Sequence, residues 1–275
     1  MADGDRIVIE AHRGWPAIGW RELWRSRELI YFLTWRDLKV RYKQTALGVL
    51  WGLLDPLVRM VVLTVIFGRV VKLNAEGYPY AVFLFSAMLP WQFFSNALRR
   101  AGDSVLGDAP LVQKVYFPRL IIPISSIGAS LVDLLFALVI LAGLMAWYHV
   151  APGPQVMALV PLTVVTALLA LGVGTLLSGL TAAYRDFRYV TALLVQAWFF
   201  LTPVIWSLKQ VPAHLRPLAA LNPLCGIIEG CRSALLPGRP FEWPLIALSA
   251  AVAAVLFVVG LYGFRRIESE LADIM

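Results

Sequence analysis

The stretch WRELWRSRELIYFLTWRDLKVRYKQTALGVLWGLLDPLVRMVVLTVIFGRVV, residues 20–71, decides how the rest of the chain is read. No Gly or Pro stands between Gly19 and Gly48, so the spacing predicts one helix through that interval, merging into the apolar run that follows. At 100° per residue, Trp20, Trp24, Tyr31, Trp35, Leu38 and Tyr42 fall within an arc of about 60°. Arg21, Arg25, Arg36, Lys39 and Lys43 fall on a second arc beside it. Rings next to cations suit a helix lying in a membrane interface, rings at headgroup depth and cations toward lipid phosphates. A soluble amphipathic helix on a domain core would show two faces as well; the apolar run downstream favours the interface. Leu29, Phe32 and Leu33 lie off the stripe and are available to a protein partner.

Composition agrees. Of 275 residues, 60% are apolar and 15% charged, against about 45–50% and about 25% in soluble domains. The chain reads as an all-α polytopic membrane protein, one transmembrane domain over 1–275. At roughly 20 residues per crossing, six spans are expected, at about 46–71, 80–98, 120–148, 156–184, 189–208 and 243–264. The helix over 20–45 precedes them. A mixed segment, 99–119, lies between spans two and three, and 209–242 is too polar to assign by hydropathy. Lys and Arg placement decides its status. With 209–242 outside and not crossing, 17 of the 24 cations fall inside, 6 outside, and Arg59 lies in the membrane. A crossing there would carry Arg265 and Arg266 outside against the bias. The expectation is therefore both termini in the cytoplasm of an inner-membrane protein, with a re-entrant helical hairpin outside at 209–242, bent at Pro223. The same asymmetry explains the net charge of +7 without nucleic acid. The polar start, Met1 to Gly19, carries no apolar core of a cleavable signal. Cys225 and Cys231, six apart, face different ways on a helix and read as apolar filler rather than a disulfide.

Little here supports catalysis. There is no phosphate-binding G-x-x-x-x-G-K-[ST] loop, and His12, His149 and His214 are scattered, so no metal site is expected. Asp3 and Asp5 form a D-x-D pair of the kind some glycosyltransferases use, in a polar segment. The intramembrane charges are Asp55, Arg59 and Asp133, joined by Glu229 and Arg232 if the hairpin dips in. Such groups are functional candidates because burying them is costly unless paired. Asp55/Arg59 (i, i+4) and Glu229/Arg232 (i, i+3) are spaced to neutralise themselves. Asp133 has no local partner: it meets Arg59, faces a water-filled path, or is protonated. Trp51, Phe93, Phe94, Trp198, Phe199 and Phe200 suggest a path on which sugar C–H faces slide along rings, or else an ordinary interfacial belt. Trp91 and Trp206 read as belt. Gly172, Gly174 and Gly179 predict close helix packing.

Residues Trp35 to Thr45 (WRDLKVRYKQT), Leu47 to Trp51 and Asp55-Pro56-Leu57 resemble the start of the permease subunit of polysaccharide-exporting ABC transporters, the ABC-2 type permeases for O-antigen, capsule and teichoic acid. Gly107 to Arg119, Tyr184 to Arg188 and Asn222-Pro223-Leu224 resemble later segments of that family, in order. The RDLKVRYKQ form is closer to the O-antigen and capsule branch. The resemblance implies a homodimer, two cytoplasmic ABC ATPase subunits that carry the ATP and Mg, and a lipid-linked polysaccharide substrate; no enzyme activity or cofactor is expected in this chain. It implies that 99–119 couples to the ATPase through Asp108, Pro110, Leu111, Val112, Lys114, Tyr116, Phe117 and Arg119, with Pro110 in the first turn of a short helix and Asp108 at or near its N-cap. Tyr184, Arg185, Asp186 and Arg188 form a second contact. Arg36, Lys39, Arg41 and Lys43 would face lipid or substrate headgroups. An ABC-2 permease for a drug or lipid, and an ion-coupled carrier using Asp133 and Glu229, are the alternatives.

Overall fold

A computed structural model of the chain describes residues 20–43, 50–114 and 117–271. Asp3, Asp5, His12, the Gln44–Val49 part of the opening motif and Tyr116 lie outside the described residues. The described residues are mostly helical, and none of them forms a strand. In chain order the helices are α1 (Trp20–Arg25), α2 (Arg27–Tyr42), α3 (Leu50–Leu63), α4 (Tyr80–Gly107), α5 (Ala109–Lys114), α6 (Ile121–Trp147), α7 (Leu159–Ala183), α8 (Phe187–Leu201), α9 (Arg216–Ala220), α10 (Pro223–Leu235) and α11 (Trp243–Leu271). Among the described residues, five segments are long and apolar enough to cross a bilayer: α3 with its π-helical extension to Val70, α4, α6, α7 with a leading 3-10 turn from Pro154, and α11.

α4 is the central post. Its 28 residues include a nearly unbroken buried run from Ala81 to Leu98, and it packs along both α6 and α7, with α11 against the far side of α7. The α7–α11 approach depends on glycine. A Cβ on Gly260 would stand 1.8 Å from the Gly172 carbonyl oxygen, and one on Gly172 2.4 Å from Phe257 Cα. Gly174 and Gly179 likewise meet Ala101 and Phe264, so the small-residue pattern marks real contacts. α3 buries only Gly52, Pro56 and Met60, one narrow stripe four residues apart. Its other faces, including Val58, Val61 and Val62, are exposed.

The opening helix differs from expectation in two places. It breaks at Ser26, and it ends at Tyr42, after which Lys43 is extended (φ −79°, ψ 135°). The first break has a packing reason. Leu23 and Leu33 lie about 80° apart on one straight helix. With the break, both enter one small core with Val105, Leu120, Ile121, Ile122, Leu261 and Phe264. Leu33 thus finds the protein partner its off-stripe position implied, while Trp24, Tyr31, Phe32 and Trp35 stay exposed. α2 also rises beside α6 instead of standing apart. Thr34 donates to the Ser125 carbonyl (3.2 Å), and Arg41 reaches Asp133 (2.6 Å) two turns further on.

Two span boundaries shift. α4 does not stop at Leu98; it carries Arg99 and Arg100 on to Gly107, because Ala101, Ser104 and Val105 continue its buried stripe. α8 ends at Leu201, where Thr202 turns extended ahead of Pro203. Its 15 residues cover about 22 Å, short of the roughly 30 Å hydrocarbon layer. α10 is buried at every one of its 13 positions. Asn222 caps it, accepting from the Leu224 N–H (3.1 Å), with Pro223 in its first turn. The same Asn222 accepts from the Trp198 indole (2.9 Å) and donates to Thr202 Oγ1 (2.9 Å), tying α10 to the end of α8. Both cysteines lie in α10, buried and free.

Candidate functional site

Three helices that share little buried surface enclose a laterally open groove. α3, α4 and α8 line a volume of about 580 Å³, and Val58, Val62 and Phe200 on its rim are exposed, so it opens sideways. Helical spacing grades its lining. Toward the α4–α5 elbow stand Asp55, Arg59 and Arg99. Midway stand Gln92, Ser95, Asn96 and Gln196. Toward the α10 end stand Leu63, Met88, Trp91, Phe199 and Phe200. The rings form a chain: Trp91 to Phe199 at 5.3 Å and Phe199 to Phe200 at 5.5 Å between centroids. Arg59 and Asp55 pair at 3.1 Å as their spacing required. Gln92 and Asn96 are half-buried and Gln196 is exposed; Gln92 Nε2 is buried without a partner among the described residues, which costs about 1–3 kcal/mol.

The candidate path residues divide. Phe199 and Phe200 line the groove. Trp51 and Phe93 border a small cleft beside Asp133 that also touches Asp55, Gln92 and Asn96. Phe94 is fully buried, edge-on to Trp198 at 5.1 Å, and Trp198 spends its N–H on Asn222. Trp91, read as belt from sequence, lines the groove. Gln92, Asn96 and Gln196 were not singled out. The signal was available: Gln92, Asn96 and Arg99 recur at i, i+4, i+7 within an apolar span, one polar stripe on one face.

At the elbow end, ion pairs radiate from α4. Arg100 and Arg41 both bind Asp133 at 2.6 Å, so Asp133 is held by α2 and α4 and does not meet Arg59. Asp103 takes Arg188 at 3.0 Å, and Asp108 takes Arg36 at 2.7 Å. The Asp108 side chain therefore serves α2, while its carbonyl accepts from the Leu111 and Val112 amides at the start of α5. Hydrogen bonding to Asp108 raises the Arg36 guanidinium above its usual range, against the opposing effect of burial. Pro110 sits in the first turn of α5. Leu111, Val112 and Phe117 pack against the small core, whereas Lys114 is exposed. Arg119 keeps one buried guanidinium nitrogen without a partner among the described residues. Tyr184, Arg185 and Asp186 are exposed, as are Lys39 and Lys43.

At the α10 end the charges condense into one network. Arg232 binds Glu229 (2.9 Å) and donates to the carbonyls of Val204 (3.0 Å) and Trp206 (3.2 Å). Its guanidinium lies 3.8 Å over the Phe83 ring. Arg239 bridges Glu229 and Glu76, and Glu76 also accepts from Ser207 and from Lys209 (2.8 Å). Burial pushes the Glu76 carboxyl up. The bonds from Lys209 and Ser207 and the charge of Arg239 outweigh that and hold it below the usual carboxylate range. Glu76 and Arg239 sit in loops, and nothing in their local sequence announced them. Among the described residues no three metal-ligating side chains cluster.

Residues 28–236 match the family model described as ABC-2 type transporter. The chain is 28% identical over 256 residues, 92% of its length and 97% of the relative's, to the O-antigen export system permease protein RfbA of Myxococcus xanthus. It is 26% identical over 249 residues to the protein of the same name from Klebsiella pneumoniae, covering 90% and 95%. With the polysialic acid transport protein KpsM of Escherichia coli it shares 24% identity over 244 residues, covering 86% and 92%. Elbow, groove and buried α10 thus belong to a multi-pass membrane protein, and the chain is a member of the ABC-2 type transporter family.

Proposed function

We propose that this chain is the membrane subunit of an ATP-driven exporter of lipid-linked, O-antigen-like polysaccharide, and that the graded groove is half of its path. The observation that carries the reading is the groove's lining: a chain of tilted, edge-on rings beside amides on a laterally open face. Rings offer C–H stacking, amides offer hydroxyl bonding, and neither holds a long polymer tightly enough to stop it. The relatives named for O-antigen export and polysialic acid transport support the same assignment.

In this reading the elbow end faces the cytoplasm. The α4–α5 elbow, with Leu111, Val112, Lys114, Phe117 and Arg119, docks on a cytoplasmic ABC ATPase. The loop at Tyr184, Arg185, Asp186 and Arg188 is the second contact. Two copies of the chain, with two ATPase subunits, close their grooves on each other across the exposed faces of α3 and α8. α8 and residues 202–210 make the sixth crossing, and α9 with α10 forms a hairpin that dips back from outside. The complete burial of α10, with Glu229 and Arg232 inside, supports protein rather than lipid as its surroundings. α1 and α2 lie at the interface, with exposed Lys39 and Lys43 toward headgroups and Arg36 and Arg41 toward α4 and α6. An ion-coupled carrier is disfavoured, because Asp133 and Glu229 each already hold two guanidinium groups.

The test is reconstitution with the ATPase encoded beside it. Lipid-linked polysaccharide is expected to enter the vesicle lumen only with ATP. Movement driven by an ion gradient without the ATPase, or ATP-driven movement of a drug or phospholipid but no polymer, would overturn the proposal.

A further inference from the structure

The groove's amides deepen that reading, and the inference rests on it. We infer that the side-chain amides of Gln92 and Asn96 on α4 and Gln196 on α8 are the contacts by which the groove selects a glycan over an aliphatic or aromatic cargo. All three line the same groove. None of them makes a hydrogen bond among the described residues, and Gln92 Nε2 is buried with no partner there. Polar groups at membrane depth are ordinarily satisfied by protein, so the half-buried amides of Gln92 and Asn96, with the exposed Gln196 on the same groove, indicate an occupant that brings its own hydroxyls.

Their chemistry fits a sliding polymer. Each amide carries a donor and an acceptor, so it pairs with a hydroxyl in either orientation and exchanges one sugar for the next without a charge being stripped of water. A carboxylate ring would instead hold cations. The groove's only carboxylate, Asp55, is already neutralised by Arg59, and Arg99 leaves the lining with one positive charge in excess. Neutral and acidic glycans are thus both admitted. Spacing adds to this. From Arg99 to Met88 the α4 lining extends about 16 Å along the helix, and Gln92 and Asn96 fall one turn apart in its middle. A glycan lying there meets cations first, amides next and the Trp91–Phe199–Phe200 rings last.

The decisive experiment uses the full permease–ATPase complex in proteoliposomes, with lipid-linked polysaccharide extracted from the producing cells as the probe. Two readouts are followed: ATPase stimulation against polymer concentration, and polymer capture by a photocrosslinker placed at the exposed Phe200. For the triple variant Gln92→Leu/Asn96→Leu/Gln196→Leu, half-maximal stimulation should need about ten-fold more polymer. Capture should fall in parallel, while unstimulated ATPase and complex yield stay at the wild-type level. The conservative Asn96→Gln should retain most of the polymer response that Asn96→Leu loses. If the triple variant does not assemble, the single Gln196→Leu carries the test with an expected shift of about three-fold, since Gln196 is exposed and its replacement disturbs little packing. Wild-type stimulation and capture in the substituted protein would overturn the inference alone. Loss of the dimer without loss of polymer affinity would assign the amides to the partner copy and overturn it too. A wild-type complex that no polymer stimulates or crosslinks would overturn the export reading and this inference with it.

Discussion

The two charged ends of the molecule are built on opposite plans. At the α10 end, Glu76, Glu229, Arg232, Arg239 and Lys209 form one connected network, and its centre is dry: the Arg232, Glu229 and Arg239 side chains are 0%, 4% and 5% exposed. At the elbow end, α4 sends out three separate links, from Arg100, Asp103 and Asp108 to three different elements, and they are wetter. Arg188 and Asp103 are 54% and 49% exposed. A connected buried network resists the loss of any member, since each charge relies on several others. The half-exposed Arg188–Asp103 pair forms and breaks at little cost, and the Arg36–Asp108 and Arg100–Asp133 links, more enclosed, are each independent of it. The contrast is that of a fixed end and an adjustable one. The adjustable end carries the elbow, where an energy-supplying partner would push.

The largest expected effect breaks the fixed end. Glu229→Gln leaves Arg232 and Arg239 enclosed without their shared carboxylate. Stranding buried charge this way costs about 3–5 kcal/mol. Thermal unfolding in detergent should show a Tm drop larger than for any single elbow-end substitution, and residues 202–242 should become protease-sensitive. A mild effect would mean that the network is not the unit described.

Asp133→Asn comes next. It releases Arg41 and Arg100 together, but Arg41 is 40% exposed and finds water. The cost should be roughly 1–2 kcal/mol, and α2 should loosen from α6. Amide exchange along α2, compared between the two proteins, checks this. An Asp133→Asn cost equal to that of Glu229→Gln would erase the distinction between the ends.

Much of this was legible in the sequence, for identifiable reasons. The spans of α6, α7 and α11 followed from long apolar runs, and the α7 glycines announced the close α11 contact. Asp55/Arg59 and Glu229/Arg232 were legible because helical spacing alone sets each pair. Asp133 was flagged as lacking a local partner. Its real partners are 92 and 33 residues away, and no local pattern encodes such distances. Glu76 and Arg239 were missed for the same reason. The continuity of the opening helix was misread because Ser26 is a tolerable helix residue, and the break there is imposed by packing Leu23 and Leu33 into one core. The groove's rings drew notice as aromatics do, whereas its amides were passed over because single Gln and Asn residues in a span carry little weight until a fold brings three together.

Acid separates the ends more gently. The folded Glu76 carboxyl is held below the ordinary glutamate pKa of about 4.3. Its contribution is therefore fully present above that value and disappears as pH falls through the lower folded one. The Arg36 pair behaves differently: a guanidinium held above its usual range by Asp108 stays charged across any usable pH and gives no slope of its own. Below about pH 4.5, stability carried by the α10 end should decline, and Glu76→Gln should flatten that part of the curve. An unchanged acid slope in Glu76→Gln would remove Glu76 from the network.

The smallest expected effect is at the most exposed link. Arg188→Ala removes one partner of a pair that water reaches on both sides, so its stability change should stay under about 0.5 kcal/mol. The reversed pair, Arg188→Asp with Asp103→Arg, should fall within the same margin, because little geometry is imposed on either side chain. Guanidinium or urea titration of both variants beside wild type resolves that difference only as an upper bound, which is sufficient. If Arg188→Ala cost as much as Glu229→Gln, this link would be buried and cooperative in the assembled protein, and the elbow end would be as fixed as the other.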